Sequence, residues 1–278
     1  MSHGSIAIGG QADSEFQLDR VGFGAARIFE DSQSEKLLST ALDCGVRHFD
    51  TAPSYAYGQS EVMLGKILQG VAGISVATKV GIPISAGGPS LLASNYRRFV
   101  RPILARVPSV KSALLRWRAP VNTDNQVLQS KRILTRDEIM VSLEASLRRL
   151  CRNQIEILLI HEPDQFYLTD ELNETLTALV SQRAIKAFGL GWDRVVNSPP
   201  NFGQILQCRY RSGVQIPIHP PRQAAIFHGV LKVDPASARV IFRQSARQRL
   251  KSALAQAPQS AVIFSASATH QIKELLLA

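Results

Sequence analysis

The sequence predicts an α/β protein in which buried parallel strands alternate with helices. Eight short apolar runs are rich in Val, Ile and Leu, which is typical of parallel strands covered on both faces. Helical patterns separate most of these runs. The chain has 278 residues, a comfortable length for one α/β barrel. The predicted strands are 21–25, 48–52, 74–80, 155–161, 185–191, 204–208, 224–230 and 261–265.

Helix periodicity and capping residues set the predicted helices. Residues 32–44 carry one apolar stripe, with Ser32 or Ser34 as N-cap and Gly45 as the stop. Thr135 and Glu138 have the spacing of a capping box at the start of the helix 135–150. The other predicted helices are 60–68, 169–181 and 245–256. Periodicity leaves open whether the sheet is closed as a barrel or open.

Two regions interrupt the alternation. Residues 82–134 form a long insertion after the third strand, and such loops at the carboxyl ends of barrel strands often carry function. The insertion is therefore expected to be mobile or to form a lid over the cofactor groove. Residues 193–223 are Pro-rich and short, so the region from the fifth to the seventh strand has little room for two full helices.

Composition argues against a membrane-spanning or a secreted protein. No run reaches the roughly 18 apolar residues that cross a bilayer, and residues 1–11 lack the features of a signal peptide. Cys44, Cys151 and Cys208 are few and widely spaced, which favours a reducing compartment over a disulfide framework or a zinc site. We therefore expect a cytoplasmic protein without a metal.

Positive charge is concentrated in the insertion. The net charge is +10, and residues 97–136 hold ten Lys or Arg side chains against one acid, Asp124. No nucleic-acid-binding motif accompanies this run, so a solvated basic insertion is favoured over nucleic-acid binding. A membrane surface or an acidic partner for residues 91–117 is the weaker alternative. The sequence makes no prediction of oligomeric state.

The most specific motif lies at the end of the second strand. Residues 49–61 read FDTAPSYAYGQSE, so that Asp50 ends an apolar strand and Tyr55 follows five residues later. Two later strands end in Lys79, within ATKVG, and in His161, within ILLIHEPD. In this order the three motifs closely resemble those of the aldo-keto reductase superfamily. The resemblance is good from about residue 22 to residue 191, apart from the insertion.

The resemblance implies a single (β/α)8 barrel over residues 1–278 that transfers a hydride between NADP or NAD and a carbonyl or alcohol. It makes Tyr55 the general acid/base, with Lys79 lowering its pKa, Asp50 anchoring Lys79 and His161 orienting the substrate oxygen. Each residue alone has an ordinary explanation, such as a helix cap or a core histidine. Tyr57 is the weaker alternative acid because it falls seven residues after Asp50.

Cofactor residues are implied less strongly. The sixth-strand glutamine is either Gln207 or Gln215; we favour Gln207 because Gln215 leaves almost no chain before the next strand. The family usually ends its fifth strand with Ser-Asn, where this chain has Gly191 and Trp192, and Gln271 replaces the Arg expected at the 2′-phosphate of NADP. We therefore expect NAD(H) to bind within about tenfold of NADP(H). The positions matched to cofactor binding are Gly24, Asp50, Gly191, Gln207, Phe227, Ser265, Ser267, Gln271 and Glu274.

Two functions follow from the resemblance. The form of the motif at 50–58 resembles the sugar and aldose dehydrogenase branch, which makes a sugar-like substrate the favoured one. The alternative is a nicotinamide-binding regulatory subunit with weakened catalysis, as in potassium-channel β-subunits. The departures at Gly191 and Trp192 would suit this alternative, whereas the complete set of four catalytic residues argues against it.

Overall fold

Eight parallel strands form a closed barrel with helices around it, as the sequence predicts. The computed structural model describes residues 4–9, 15–82, 134–163, 167–193, 199–211, 218–231 and 245–277. The strands are β1 (Ser5–Ile8), β2 (Phe16–Asp19), β3 (Val21–Gly24), β4 (His48–Asp50), β5 (Ser75–Val80), β6 (Ile155–His161), β7 (Ile185–Gly191), β8 (Ile205–Arg209), β9 (Ala224–His228) and β10 (Ser260–Phe264). The helices are α1 (Ser32–Asp43), α2 (Gln59–Leu68), α3 (Arg136–Leu150), α4 (Asp170–Ser181), α5 (Ala246–Gln256) and α6 (Thr269–Leu276).

The barrel consists of β3 to β10, and every neighbouring pair is parallel. It closes where β10 pairs with β3, with Val262 opposite Val21. Periodicity left open whether the sheet is closed or open, and the structure shows that it is closed. A closed sheet has no unpaired edge strand. The carboxyl ends of all eight strands therefore surround one rim of the barrel.

Side chains alternate between two apolar layers. The inward layer fills the barrel with Ala77, Ile157, Leu159, Ala187, Ile205, Ala224, Ile226, Ala261 and Ile263. The outward layer, which includes Phe49, Leu158 and Phe188, packs against helix residues such as Leu38 of α1. Since the two layers lie on opposite faces of each strand, a residue's layer tells whether its side chain faces the barrel axis.

An antiparallel hairpin of β1 and β2 closes the amino-terminal end of the barrel, and the sequence did not predict it. Its residues Ile8, Phe16 and Leu18 belong to the inward apolar layer. Gly9 N donates a hydrogen bond of 2.9 Å to Gln223 Oε1, just before β9. Among the residues that the structure describes, the hairpin covers the amino-terminal end of the barrel, so access to the interior is from the carboxyl rim.

The helix predictions are confirmed to within a residue or two at each end. Thr135 and Glu138 form the predicted capping box of α3, and Gly45 has a positive φ just after α1. The N-cap of α1 is Asp31 rather than Ser32 or Ser34, because the Asp31 carboxylate accepts the backbone N–H of Ser34 at 2.8 Å.

The two irregular regions have different outcomes. Nearly all of the insertion 82–134, including its basic part 91–117, lies outside the described residues, as does Gln215. Between β7 and β9, the described residues contain no helix, which agrees with the short chain available there. No helix in the described part of the chain is long and apolar enough to cross a membrane.

Gly65 allows α2 to approach the end of α3. A Cβ at this position would lie 2.8 Å from the carbonyl carbon of Leu150 and closer still to the carbonyl oxygen of Arg149. Gly65→Ala is expected to reduce the free energy of unfolding by about 1–3 kcal/mol, because the backbone of α3 must move. Urea denaturation measures this change. Gly9→Ala is the control, since no described atom lies within 4 Å of a Cβ there; equal stability of the two variants would contradict the prediction.

Candidate active site

The carboxyl ends of β4 and β5 hold a buried ion pair. Lys79 Nζ lies 2.8 Å from Asp50 Oδ1 and 3.0 Å from Asp50 Oδ2, and it also donates to the carbonyl oxygen of Thr51 at 2.9 Å. Only 2% of Lys79 is exposed. Three acceptors compensate the desolvation of the ammonium, so the charged form is retained inside the barrel.

Tyr55 lies directly beside this ammonium. It begins a short 3-10 helix, Tyr55–Gly58, after β4, and Lys79 Nζ is 4.7 Å from the centre of its ring. The ring of His161, at the end of β6, is 6.0 Å from the Tyr55 ring and nearly perpendicular to it. Asp50, Tyr55, Lys79 and His161 are thus brought to the same rim.

Tyr57 has a different environment. Its backbone is left-handed, with φ of 57°, and its side chain is 42% exposed. Within the described residues, no ion pair or ring contact joins it to Lys79 or His161. The geometry therefore favours Tyr55 over Tyr57 as the tyrosine of this site.

Burial and charge have opposing effects on the titrating groups. Burial raises the pKa of Tyr55 and the charge of Lys79 lowers it, with a net increase above the usual value of 10. Burial lowers the pKa of Lys79, but Asp50 and Tyr55 raise it further, so the ammonium is the stable form. Burial, assisted by the charge of Lys79, lowers the pKa of His161 to about 3. At neutral pH the site therefore contains a charged lysine, a neutral imidazole and a protonated phenol.

The Ser-Glu pair of the motif supports the site from behind. Ser60 Oγ donates to the carbonyl oxygen of Ala25 and lies 2.8 Å from Thr51 Oγ1. The buried carboxylate of Glu61 accepts from Thr78 Oγ1 at 2.6 Å and from Arg149 Nε at 2.7 Å. These contacts join β3, β5 and α3 to the loop that carries Tyr55. Ser60 and Glu61 belong to the motif at 49–61, but their supporting role depends on partners that the motif does not contain.

Two residues matched to cofactor binding lie beside the ion pair. Gln207 Nε2 donates to Asp50 Oδ1 at 2.6 Å, and Gln207 is buried. A Cβ on Gly191 would lie 3.9 Å from Gln207 Oε1 and 3.9 Å from Lys79 Cδ, so these two side chains lie next to the glycine. Trp192, which follows Gly191, is buried.

The placement of Phe227 speaks against the cofactor-binding role that the resemblance gives it. Phe227 is 3% exposed, and it belongs to the outward apolar layer, where its ring contacts Tyr210. Its neighbour Ile226 is in the inward layer, so alternation along β9 makes His228 the inward residue at the rim. Phe227 is thus a core residue, and the inward-facing position at the rim end of β9 is held by His228.

The segment after β10 has a different arrangement from the one expected for a phosphate site. Ser265 Oγ donates to the carbonyl oxygen of Gly24 at 2.8 Å. Gln271 Oε1 accepts from the backbone N–H groups of Ser267 and Ala268 at 2.9 and 3.2 Å, and the Ser267 hydroxyl lies 3.2 Å away. The amide of Gln271 thus occupies the donors that an anion would use. Glu274 is exposed on α6, one turn further along.

The parallel α/β barrel thus has a buried Lys–Asp pair with an adjacent tyrosine at its carboxyl rim. No group of three or more potential metal ligands lies among the residues the structure describes. The sequence profile of the aldo/keto reductase family matches residues 20–198, and the chain belongs to this family.

Individual relatives agree with this assignment. A D-threo-aldose 1-dehydrogenase from Pseudomonas sp is 30% identical over 187 residues, which are 62% of this chain and 49% of that protein. The chain thus spans about half the length of the curated relatives it matches.

Solved structures share the fold at low sequence identity. The holo form of an aldo-keto reductase from Bacillus halodurans has a TM-score of 0.63 at 17% identity, covering 98% of this chain and 90% of that chain. An aldo-keto reductase from Klebsiella pneumoniae in complex with NADPH has a TM-score of 0.61 at 16% identity, covering 94% and 85%. These two likenesses concern the fold.

Proposed function

We propose that the protein is an NAD(P)-dependent oxidoreductase that interconverts a carbonyl compound and an alcohol. The observation that carries the proposal is the buried Lys79–Asp50 pair, with Lys79 Nζ 4.7 Å from the ring of Tyr55 and His161 beside it. A buried ammonium next to a phenol and a neutral imidazole suits proton transfer to a substrate oxygen.

The rim fits a flat cofactor ring. Gly24 and Gly191 place no side chains there, and the polar side chains of Gln207 and Asp50 are hydrogen-bonded to each other beside Gly191. Gly191, Gln207 and Asp50 would hold the nicotinamide, which supplies the hydride when the dinucleotide is bound. Gly24 and Ser265 would lie along the dinucleotide, which requires close approach of the backbone.

The protein's own groups handle the proton. In reduction, Tyr55 donates the phenolic proton to the carbonyl oxygen, and the ammonium of Lys79 stabilises the tyrosinate that remains. Asp50 and the Thr51 carbonyl keep Lys79 beside the phenol. His161 is neutral at pH 7 because its pKa is about 3, so its N–H donates a hydrogen bond to the substrate oxygen without a net charge.

A sugar-like substrate is the favoured class. The relatives include a D-threo-aldose 1-dehydrogenase and a 6-dehydroglucose reductase, the second 27% identical over 192 residues. The test is to purify the chain and to follow NADPH and NADH absorbance with a panel of aldehydes and aldoses. Turnover of a panel member supports the proposal, whereas cofactor binding without turnover of any member supports a regulatory subunit.

The pH profile of reduction is a first prediction for the site. Tyr55 donates a proton, and its raised pKa keeps it protonated until well above pH 9. Because His161 has a pKa of about 3, it stays neutral at higher pH. We expect kcat/KM for reduction to be flat from about pH 5 to about pH 10 and to fall only at higher pH, with alcohol oxidation rising instead. Initial rates in a constant-ionic-strength buffer series measure this. A change in kcat/KM with a midpoint near pH 6.5 would contradict the inference that His161 is neutral throughout this range.

The arrangement at Gln271 leads to a prediction about cofactor choice. A 2′-phosphate needs a charged partner, usually a bidentate Arg, and Gln271 offers a neutral amide already bonded to Ser267. NADP(H) and NAD(H) are expected to differ in Kd by no more than about tenfold, or roughly 1.4 kcal/mol. Gln271→Arg should raise the affinity for NADP(H) selectively, as measured by fluorescence quenching.

The control is His270→Arg, which adds the same charge one residue away on the exposed side of α6. A wild-type preference of a hundredfold or more for NADP(H), together with no effect of Gln271→Arg, would mean that another basic residue binds the phosphate.

A further inference from the structure

Three ionisable side chains lie one layer further out along the rim than Gln207. In the register of the barrel, Gln207 pairs with Gly191 of β7 and with Ile226 of β9, and Arg209 pairs with His228. Alternation makes Arg209 and His228 face the same way as Gln207. The third side chain, Asp193, follows the end of β7.

Asp193 joins the other two. Its Oδ2 lies 3.5 Å from Arg209 Nη2, and its Oδ1 lies 3.7 Å from His228 Nε2. Both distances exceed those of a good charge-assisted hydrogen bond. The backbone N–H of Asp193 is held separately, because it donates to the carboxylate of Glu162. The neighbours of Asp193 therefore hold its side chain in place but leave part of the hydrogen-bonding capacity of its carboxylate free.

One oxygen of this cluster is buried without a hydrogen bond. Within the described residues, Asp193 Oδ1 is shielded from solvent and accepts no hydrogen bond. A buried acceptor without a donor costs free energy, and native proteins rarely leave a carboxylate oxygen in this state. A group that donates to Oδ1 would remove this cost.

The cluster borders the catalytic residues. Gln207, one layer below, donates to Asp50 Oδ1. Burial lowers the pKa of His228, and the charges of Asp193 and Asp50 raise it while Lys79 lowers it further, with a net decrease. His228 also lowers the pKa of His161 through its charge. A substrate whose carbonyl meets Tyr55 and His161 therefore has its neighbouring atoms close to this cluster.

We propose that Asp193, Arg209 and His228 form a hydroxyl-binding subsite that selects polyhydroxylated substrates. A hydroxyl both donates and accepts, so it can donate to Asp193 Oδ1 and accept from Arg209 or from the neutral imidazole of His228. The 3.7 Å between Asp193 Oδ1 and His228 Nε2 is too long for a direct bond. An alkyl chain at the same place would bury the carboxylate without a donor, which disfavours it.

The subsite rests on the proposed function, since it assumes that the substrate carbonyl lies at Tyr55. Its three residues would distinguish a sugar-like substrate from a simple aldehyde of the same length. Glyceraldehyde and propanal are a matched pair for this purpose, because they share the aldehyde and the three-carbon chain and differ by two hydroxyl groups.

The experiment measures kcat/KM for both aldehydes in the wild-type chain and in Asp193→Asn, which preserves shape and removes the charge. We expect the kcat/KM for glyceraldehyde, divided by that for propanal, to fall about tenfold in Asp193→Asn, because hydrogen bonds to charged groups are stronger than those to neutral ones. The kcat/KM for propanal itself should change less than twofold. Glu35→Gln is the matched control, since it removes a carboxylate from an exposed ion pair with Lys66 outside the barrel. This control should leave the ratio unchanged.

A binding measurement separates the subsite from the proposed activity. Saturation-transfer NMR of glycerol against 1-propanol on the wild-type chain should show preferential binding of glycerol, lost in Asp193→Asn. If neither aldehyde is reduced but glycerol is bound in this way, the proposed function fails and the subsite stands. Equal losses of kcat/KM for both aldehydes, or a weakened Kd for NADPH in Asp193→Asn, would overturn the subsite, because the cluster would then serve the fold or the cofactor.

Discussion

Tyr55→Phe is expected to lower kcat for carbonyl reduction by about 10²–10⁴-fold, the usual contribution of a general acid. The substitution removes only the phenolic oxygen, and the ring that packs beside Lys79 and His161 remains. Binding of NADPH should change little, because the role proposed for Tyr55 is contact with the substrate oxygen and not with the dinucleotide. Steady-state rates and a fluorescence titration of NADPH measure the two effects.

Tyr57→Phe is the matched control. Tyr57 is 42% exposed and lies on the same short 3-10 helix, so the variant tests an identical change outside the site. Its turnover should equal that of the wild type. Full activity in Tyr55→Phe combined with loss in Tyr57→Phe would move the general acid by two residues and contradict the assignment made from the geometry.

Lys79→Met is expected to abolish measurable turnover and to destabilise the fold by about 3–5 kcal/mol. The reason is that removal of one partner leaves the other charge, on Asp50, buried and uncompensated. Methionine keeps most of the side-chain volume, so the change reports charge more than packing. Urea denaturation gives the free energy of unfolding.

The double variant Asp50→Asn/Lys79→Met separates stability from catalysis. It removes both charges and should recover most of the stability lost in Lys79→Met, since a buried pair replaced as a whole is often tolerated. Turnover should stay lost, because the tyrosinate then lacks a positive neighbour. A double variant less stable than the single one would show that Asp50 does not need Lys79.

The fold was predictable because each barrel strand shows its own local pattern. The strands β6 and β7 match their predicted ranges to the residue. In β6 the pattern is especially clear, because five of its seven residues are Ile or Leu. The hairpin of β1 and β2 was missed because its strands have four residues each and its apolar side chains are too few for a clear periodicity. Phe16 and Leu18 are buried by packing against the inward apolar layer of the barrel, which the local sequence of the hairpin does not reveal.

The meeting of Asp50, Tyr55, Lys79 and His161 at one rim was predictable, because their motifs lie at the carboxyl ends of three strands, β4, β5 and β6. Facing directions near strand ends were harder, since a shift of one residue reverses a side chain, as Phe227 and His228 show. The pKa of Tyr55 depends on burial, which outweighs the charge of Lys79 and which sequence does not measure. The hydrogen bonds from Ser267 to Gln271 depend on the geometry of the turn before α6, which the sequence pattern does not show. The cluster at Asp193 combines residues from different strands, which are distant in sequence.

The closure between β3 and β10 has a consequence for biosynthesis. Val21 pairs with Val262, and Arg20 Nε donates to the carbonyl oxygen of Ser260, a partner 240 residues away in sequence. Ribosomes add about 5–20 residues per second, so β3 leaves the ribosome roughly 10–50 s before its last neighbour is made. During that time one edge of β3 and the apolar side chains of the hairpin have no final partner. The barrel can therefore close only after β10 has been made, and until then the unpaired edge of β3 is open to pairing with other chains.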